Sequence, residues 1–134
     1  MTKQELYYLW DLRQQLEDTL ELLASLEAKA APRVQRLDGL PHASGTRDAV
    51  GDLAAGIADL KERIYSLECG IIHSEAVATA YIRTIEDSRT RIIFTLRFIH
   101  GKSWKDVAKF LGGGNTAYSV KAICYRYLEA HHDA

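Results

Sequence analysis

Apolar residues recur along this chain at steps of three and four, and they do so in separate runs. A Thr2-x-x-Glu5 pair precedes Leu6, Leu9, Leu16, Leu20 and Leu23, a stripe interrupted at Arg13. This spacing, opened by a capping-box pattern, predicts a helix over about residues 3–30. Pro32 is expected to end it, because proline lacks the N–H and restricts the residue before it. The stretch PRVQRLDGLPHASGTRD holds both prolines and no sustained period, so residues 32–47 read as a loop or crossover.

The longest run begins near Asp48: Leu53, Ile57, Leu60, Ile64, Leu67 and Ile71, then Ser74, Ala78, Tyr81 and Ile85. Alternating steps of four and three make a heptad seam. A helix over residues 48–86 is about 58 Å long at ~1.5 Å per residue, so its seam needs another helix to cover it. The N-terminal helix in an antiparallel hairpin, a second copy in a homodimeric coiled coil, or both together would supply that cover.

Three shorter patterns follow. Asp87 is placed to cap a helix over 88–100 carrying Ile92, Ile93, Leu96, Phe98 and Ile99, with Gly101 as its stop. Ser103-x-x-Asp106 opens a fourth helix whose inner residues are Val107, Ala108 and Leu111, ending at Gly112. Asn115 or Thr116 caps a last helix with Val120, Cys124 and Leu128 inside, joined by Tyr127. The expected fold is therefore all-α: a long helical hairpin or coiled coil over 1–86, then a three-helix helix-turn-helix domain over 87–134.

Composition sets bounds on this reading. The 134 residues, 47% hydrophobic and 26% charged, match an ordinary globular domain. No stretch has the roughly 20 apolar residues of a membrane span, and MTKQELYYLWD lacks a signal layout, so a cytoplasmic protein is expected. Cys69 and Cys124 stand apart from any zinc-ligand spacing and read as buried thiols. The five histidines have no ligand spacing, and neither a metal nor a cofactor is expected; His131 and His132 read as a frayed end. No phosphate-loop, nucleophile-elbow or HExxH pattern is present, and an enzyme is not expected.

The net charge of −1 conceals an asymmetry. Residues 1–87 carry nine basic and fifteen acidic side chains, whereas 88–134 carry eight basic and three acidic, a net of +5. Short helices in series, a corner at Gly112–Gly114 able to take positive φ, and surplus positive charge form the pattern of a DNA-reading helix-turn-helix. Arg89, Arg91 and Arg97 would otherwise answer the acidic side chains of Glu86 and Asp87, and Trp104 is expected to pack between the small helices.

The segments LPHASGTRDAVGDL and YIRTIEDSRTRIIFTLRFIHGKSWKDVAKFLGGGNTAYSVKAICYRYL resemble phage and prophage transcription regulators of the ArpU and RinA type, whose C-terminal part is similar to region 4 of sigma-70-family factors. The resemblance runs from about Arg36 to Leu128. It implies a regulator in a bacterial host cell that binds double-stranded DNA, with RNA polymerase as a further partner. Position by position it puts Asn115, Thr116, Tyr118, Ser119, Lys121, Ala122, Tyr125 and Arg126 on the reading helix, and Lys102, Ser103 and Lys105 at the start of the preceding one, where backbone N–H groups and lysines hold phosphate. Relatives of this kind usually carry basic residues where this chain has Ala122 and Ile123. Fewer phosphate contacts predict weak binding by a monomer, restored by a homodimer or a polymerase partner. Leu53, Ile57, Leu60, Ile64, Leu67 and Ile71 are the expected oligomer seam. A small-terminase-like packaging protein and a helical adaptor or inhibitor that binds protein partners through a degenerate helix-turn-helix are the alternatives.

Overall fold

The computed structural model describes the backbone of residues 1–37 and 44–131 and the side chains of 1–31 and 49–131. The described chain is all-helical: α1 (Lys3–Leu37), α2 (Ser44–Arg83), α3 (Ser88–Phe94) continued by a π-helical turn (Thr95–Ile99), α4 (Trp104–Leu111) and α5 (Ala117–Ala130). None of the described helices is long and apolar enough to cross a membrane.

The starts of α1, α3, α4 and α5 follow from caps. Thr2 and Glu5 exchange side chain-to-backbone bonds of 3.0 and 3.1 Å at the head of α1. Asp87, in extended conformation, accepts from the Thr90 N–H at 2.9 Å, and Ser103 accepts from Asp106 N–H at 3.1 Å. Between the two candidates for the last cap the structure selects Thr116: its hydroxyl accepts from Ser119 N–H while the Ser119 hydroxyl accepts from Thr116 N–H. Such a cap satisfies donors the helix leaves open and contributes about 1 kcal/mol.

Three boundaries differ from expectation. α1 continues through Pro32 to Leu37, and α2 begins at Ser44, so the loop expected over 32–47 is helical at both ends. Proline removes a single ladder bond at a cost of ~3 kcal/mol, and a helix already nucleated extends by one bond per residue, so a long helix carries one. Residues 38–43 lie outside the described residues. α2 ends at Arg83, before the expected 86, where Thr84 folds back with its hydroxyl on the Tyr81 carbonyl at 2.6 Å. The helix expected over 88–100 runs to Ile99 and widens at its end: His100 N–H reaches the Thr95 carbonyl, Lys102 N–H reaches the Leu96 carbonyl, and Gly101 turns at φ 67°.

The chain divides into two compact units, one of Met1–Leu12 with Ile71–Ala134 and the other of Arg13–Gly70. The boundary expected between residues 86 and 87 lies inside the first of these units. Leu6 from α1, Ala78 and Ile82 from the α2 end and Ile85 just after it share one buried cluster with Ile93, Phe94, Phe98, Val107, Val120, Cys124 and Leu128. Phe94 is its centre, with Phe98, Tyr127 and Tyr81 rings 5.6, 5.5 and 6.3 Å away. Truncating such a buried phenylalanine costs about 3–5 kcal/mol.

In the other unit the heptad seam is turned inward. Ile64 and Leu67 are buried, and Leu53, Ile57 and Leu60 half-buried. Arg63 donates to the Gln15 side chain at 2.8 Å, and a Cβ on Gly56 would lie 3.7 Å from Leu26 Cδ1. Rising numbers on α1 meet falling numbers on α2, so the two segments pair antiparallel within the chain. Leu16 and Leu23 face inward as expected; Leu20 is exposed, a departure from the expected stripe.

Candidate nucleic-acid interface

The corner between α4 and α5 is built from backbone freedom. Gly112, Gly113 and Gly114 all take positive φ, 64°, 60° and 80°, a region L side chains enter at a cost of ~1–2 kcal/mol. The Gly112 N–H caps α4 on the Ala108 carbonyl. Open space surrounds all three glycines, so conformation and not crowding requires them.

Asn115 locks this corner. Its Nδ2 donates to the Gly112 carbonyl at 2.6 Å and its Oδ1 accepts from the Arg89 guanidinium. An amide held at both ends acts as a strut of the corner. Thr116 and Ser119 spend their hydroxyls on the α5 cap, and Ser103 on the α4 cap.

Tyr125 is likewise drawn inward. Its hydroxyl bonds the Tyr7 hydroxyl at 2.9 Å, its ring meets Trp104 edge-on at 5.8 Å, and Lys3 sits 4.5 Å from its centroid. Burial first, and then the bond to Tyr7, push its phenol well above the usual range. Ala122 is half-buried, and Ile123 packs against the core cluster, which explains in packing terms why that position carries no charge.

Tyr118, Lys121 and Arg126 are left facing water on α5. Tyr118 is 80% exposed. On α4 and just before it Lys102, Lys105 and Lys109 are exposed. The acidic Asp106 and Glu129 stand on the same two helices, so the cationic surface has an acidic component.

Behind this surface lies an arrangement the sequence did not disclose. The Arg97 guanidinium lies 4.2 Å from the Trp10 ring centroid and 4.3 Å from that of Trp104, with Tyr7 at 5.4 Å. It donates to the Tyr7 hydroxyl from Nε at 3.2 Å and Nη2 at 3.1 Å, and to the Lys102 carbonyl at 3.0 Å; Trp10 Nε1 donates to the Arg97 carbonyl at 2.9 Å. A planar cation between two indoles uses stacking and fork-like donation together, which lysine cannot do. The expected pairing of Arg97 with Glu86 and Asp87 is replaced by this cage; an arginine inside the apolar run LRFI, in a chain with two tryptophans, was the available signal.

Arg91 donates to the Ile85 carbonyl at 2.7 Å. The Asp87 carboxyl is held below its ordinary range, first by hydrogen bonds from the Thr90 hydroxyl and N–H and then by the charges of Arg89 and Arg91. Trp104 packs between helices as expected. Cys124 is buried and its thiol is pushed up to about 12 by burial, whereas Cys69 is exposed, against expectation. His131 is not frayed: it stacks on Tyr127 at 4.0 Å, and His132 lies outside the described residues. The expected oligomer residues Leu53, Ile57, Leu60, Ile64 and Leu67 line the pairing within one chain, and Ile71 is half-buried in the other unit.

No family model, curated protein or solved structure matches the chain.

Proposed function

We propose that α4, the glycine corner and α5 form a helix-turn-helix that binds double-stranded DNA, and that the protein is a phage-type transcription regulator with RNA polymerase as a further partner. The observation that carries the reading is the division of labour on α5. Val120, Cys124 and Leu128 anchor one side in the core, while Tyr118, Lys121 and Arg126 face solvent within a unit whose sequence carries the chain's surplus positive charge. A helix entering the major groove needs that combination: a rigid inner face and an outer one with long polar and cationic side chains. The resemblance to ArpU and RinA regulators supports the same assignment.

The residues divide by role. Lys102, Lys105, Lys109, Lys121 and Arg126 neutralise phosphates, and Tyr118, near the α5 N-terminus, meets base edges or sugar. Asn115, Thr116, Ser119 and Tyr125 act indirectly, by fixing the corner and the helix start.

Fluorescence anisotropy of a labelled duplex tests this across a salt series. Five phosphate contacts give a log–log slope of about −4.5, at ~0.9 per phosphate, and Lys121→Ala with Arg126→Ala should flatten it by about 2. A chain that binds no duplex at low salt, or a double variant with the wild-type slope, overturns the proposal.

A further inference from the structure

The arginines of α3 and its π-helical continuation have different surroundings. Arg91 is half-buried and donates to the Ile85 carbonyl, and Arg97 is enclosed by Trp10, Trp104 and Tyr7. Arg89, in the first turn of α3, is exposed, and its Nη2 donates to Asn115 Oδ1. Asn115 is fixed in turn by its own bond to the Gly112 carbonyl, and it immediately precedes Thr116, the cap of α5. The guanidinium is thus tethered at the head of α5 by an amide, which directs it without neutralising its charge. Folding of α3 does not account for this cation. The first turn is the positive end of the helix, and Asp87 already supplies the acid that end favours, accepting from the Thr90 hydroxyl and N–H.

We propose that Arg89 is a further phosphate contact of the duplex, held ready beside the reading helix by Asn115. This rests on the DNA-binding reading of α4 and α5 and extends that surface onto α3. The tether engages one guanidinium nitrogen, and the N–H groups of the others remain for phosphate oxygens, to which arginine makes short, charge-assisted bonds. Holding the side chain in place before the duplex arrives removes part of the ordering that an exposed arginine otherwise undergoes on binding. The bond also links the corner to the contact: Gly112 sets the direction of Asn115, and Asn115 sets that of Arg89.

Anisotropy of a labelled mixed-sequence duplex, titrated with the full chain across a salt series, tests it. A sixth phosphate contact steepens the wild-type log–log slope from about −4.5 to about −5.4. Arg89→Gln removes the charge and should flatten the slope by about 0.9, whereas Arg89→Lys keeps the charge and should leave the slope unchanged. A residue that only braced the corner would lower the unfolding midpoint and leave the slope alone. In the wild-type chain, the Arg89 Nε–H signal should shift when duplex is added and return to its free position at high salt. An Arg89→Gln slope equal to that of the wild type, an Arg89→Lys slope as flat as that of Arg89→Gln, or an Nε–H signal indifferent to duplex overturns the proposal. If Lys121→Ala with Arg126→Ala flattens the slope and Arg89→Gln does not, this contact fails while the DNA reading stands; a chain that binds no duplex overturns both.

Discussion

Arg97 joins α1 to the start of α4. Two indoles, a tyrosine hydroxyl and the Lys102 carbonyl meet at one guanidinium, tying Tyr7 and Trp10 of α1 to the start of α4. Arg97→Ala should destabilise the protein by about 2–3 kcal/mol, the sum of stacking and charge-assisted bonds, and Arg97→Lys should recover less than half of it. Both tryptophans of the chain touch this group, so urea unfolding followed by their fluorescence reads the cage directly. A loss below about 0.5 kcal/mol for Arg97→Ala would show that the cage is not structural. The cysteines make a second residue-scale prediction. With Cys124 buried and its thiol at about 12 and Cys69 exposed, a thiol reagent at pH 8 should label one site in the folded chain and a second only after denaturation. Rapid labelling of both in the folded state would contradict the burial.

Among the elements, the corner before α5 is governed by conformation. Gly113 has φ 60° and nothing within 4 Å of a Cβ, so Gly113→Ala should cost about 1 kcal/mol through the backbone alone. Asparagine enters this region more readily, and Gly113→Asn should cost clearly less than alanine in the same unfolding assay. Equal costs would mean the corner is not held in the left-handed region. The caps and inner faces of the short helices were legible in the sequence, because Asp87, Ser103 and Thr116 act on neighbours three residues away. The π-helical turn was not legible, since its extra residue follows from bonds such as His100 N–H to the Thr95 carbonyl, which hydropathy does not encode. Pro32 misled for a related reason: a local breaking tendency was weighed without the long helix around it.

For the molecule as a whole, periodicity revealed that α2 needed a partner and which face needed it, but not how the chain divides. The assignment of Met1–Leu12 to the C-terminal unit depends on contacts such as Tyr7 with Tyr125, 118 positions apart. The candidate site was legible as to surface and cruder as to residue. Lys102, Lys105, Tyr118, Lys121 and Arg126 are exposed as the reading requires, whereas Asn115 and Tyr125 are held by Arg89, Gly112 and Tyr7, partners that no spacing rule identifies. The account's central claim is that duplex DNA is received by α4 and the outer side of α5. A titration of the ¹⁵N-labelled protein with duplex DNA, read from backbone amide shifts, tests it most directly. Perturbations concentrated at 102–109 and 116–126 are predicted; perturbations confined to Arg13–Gly70, or none at low salt, would contradict it.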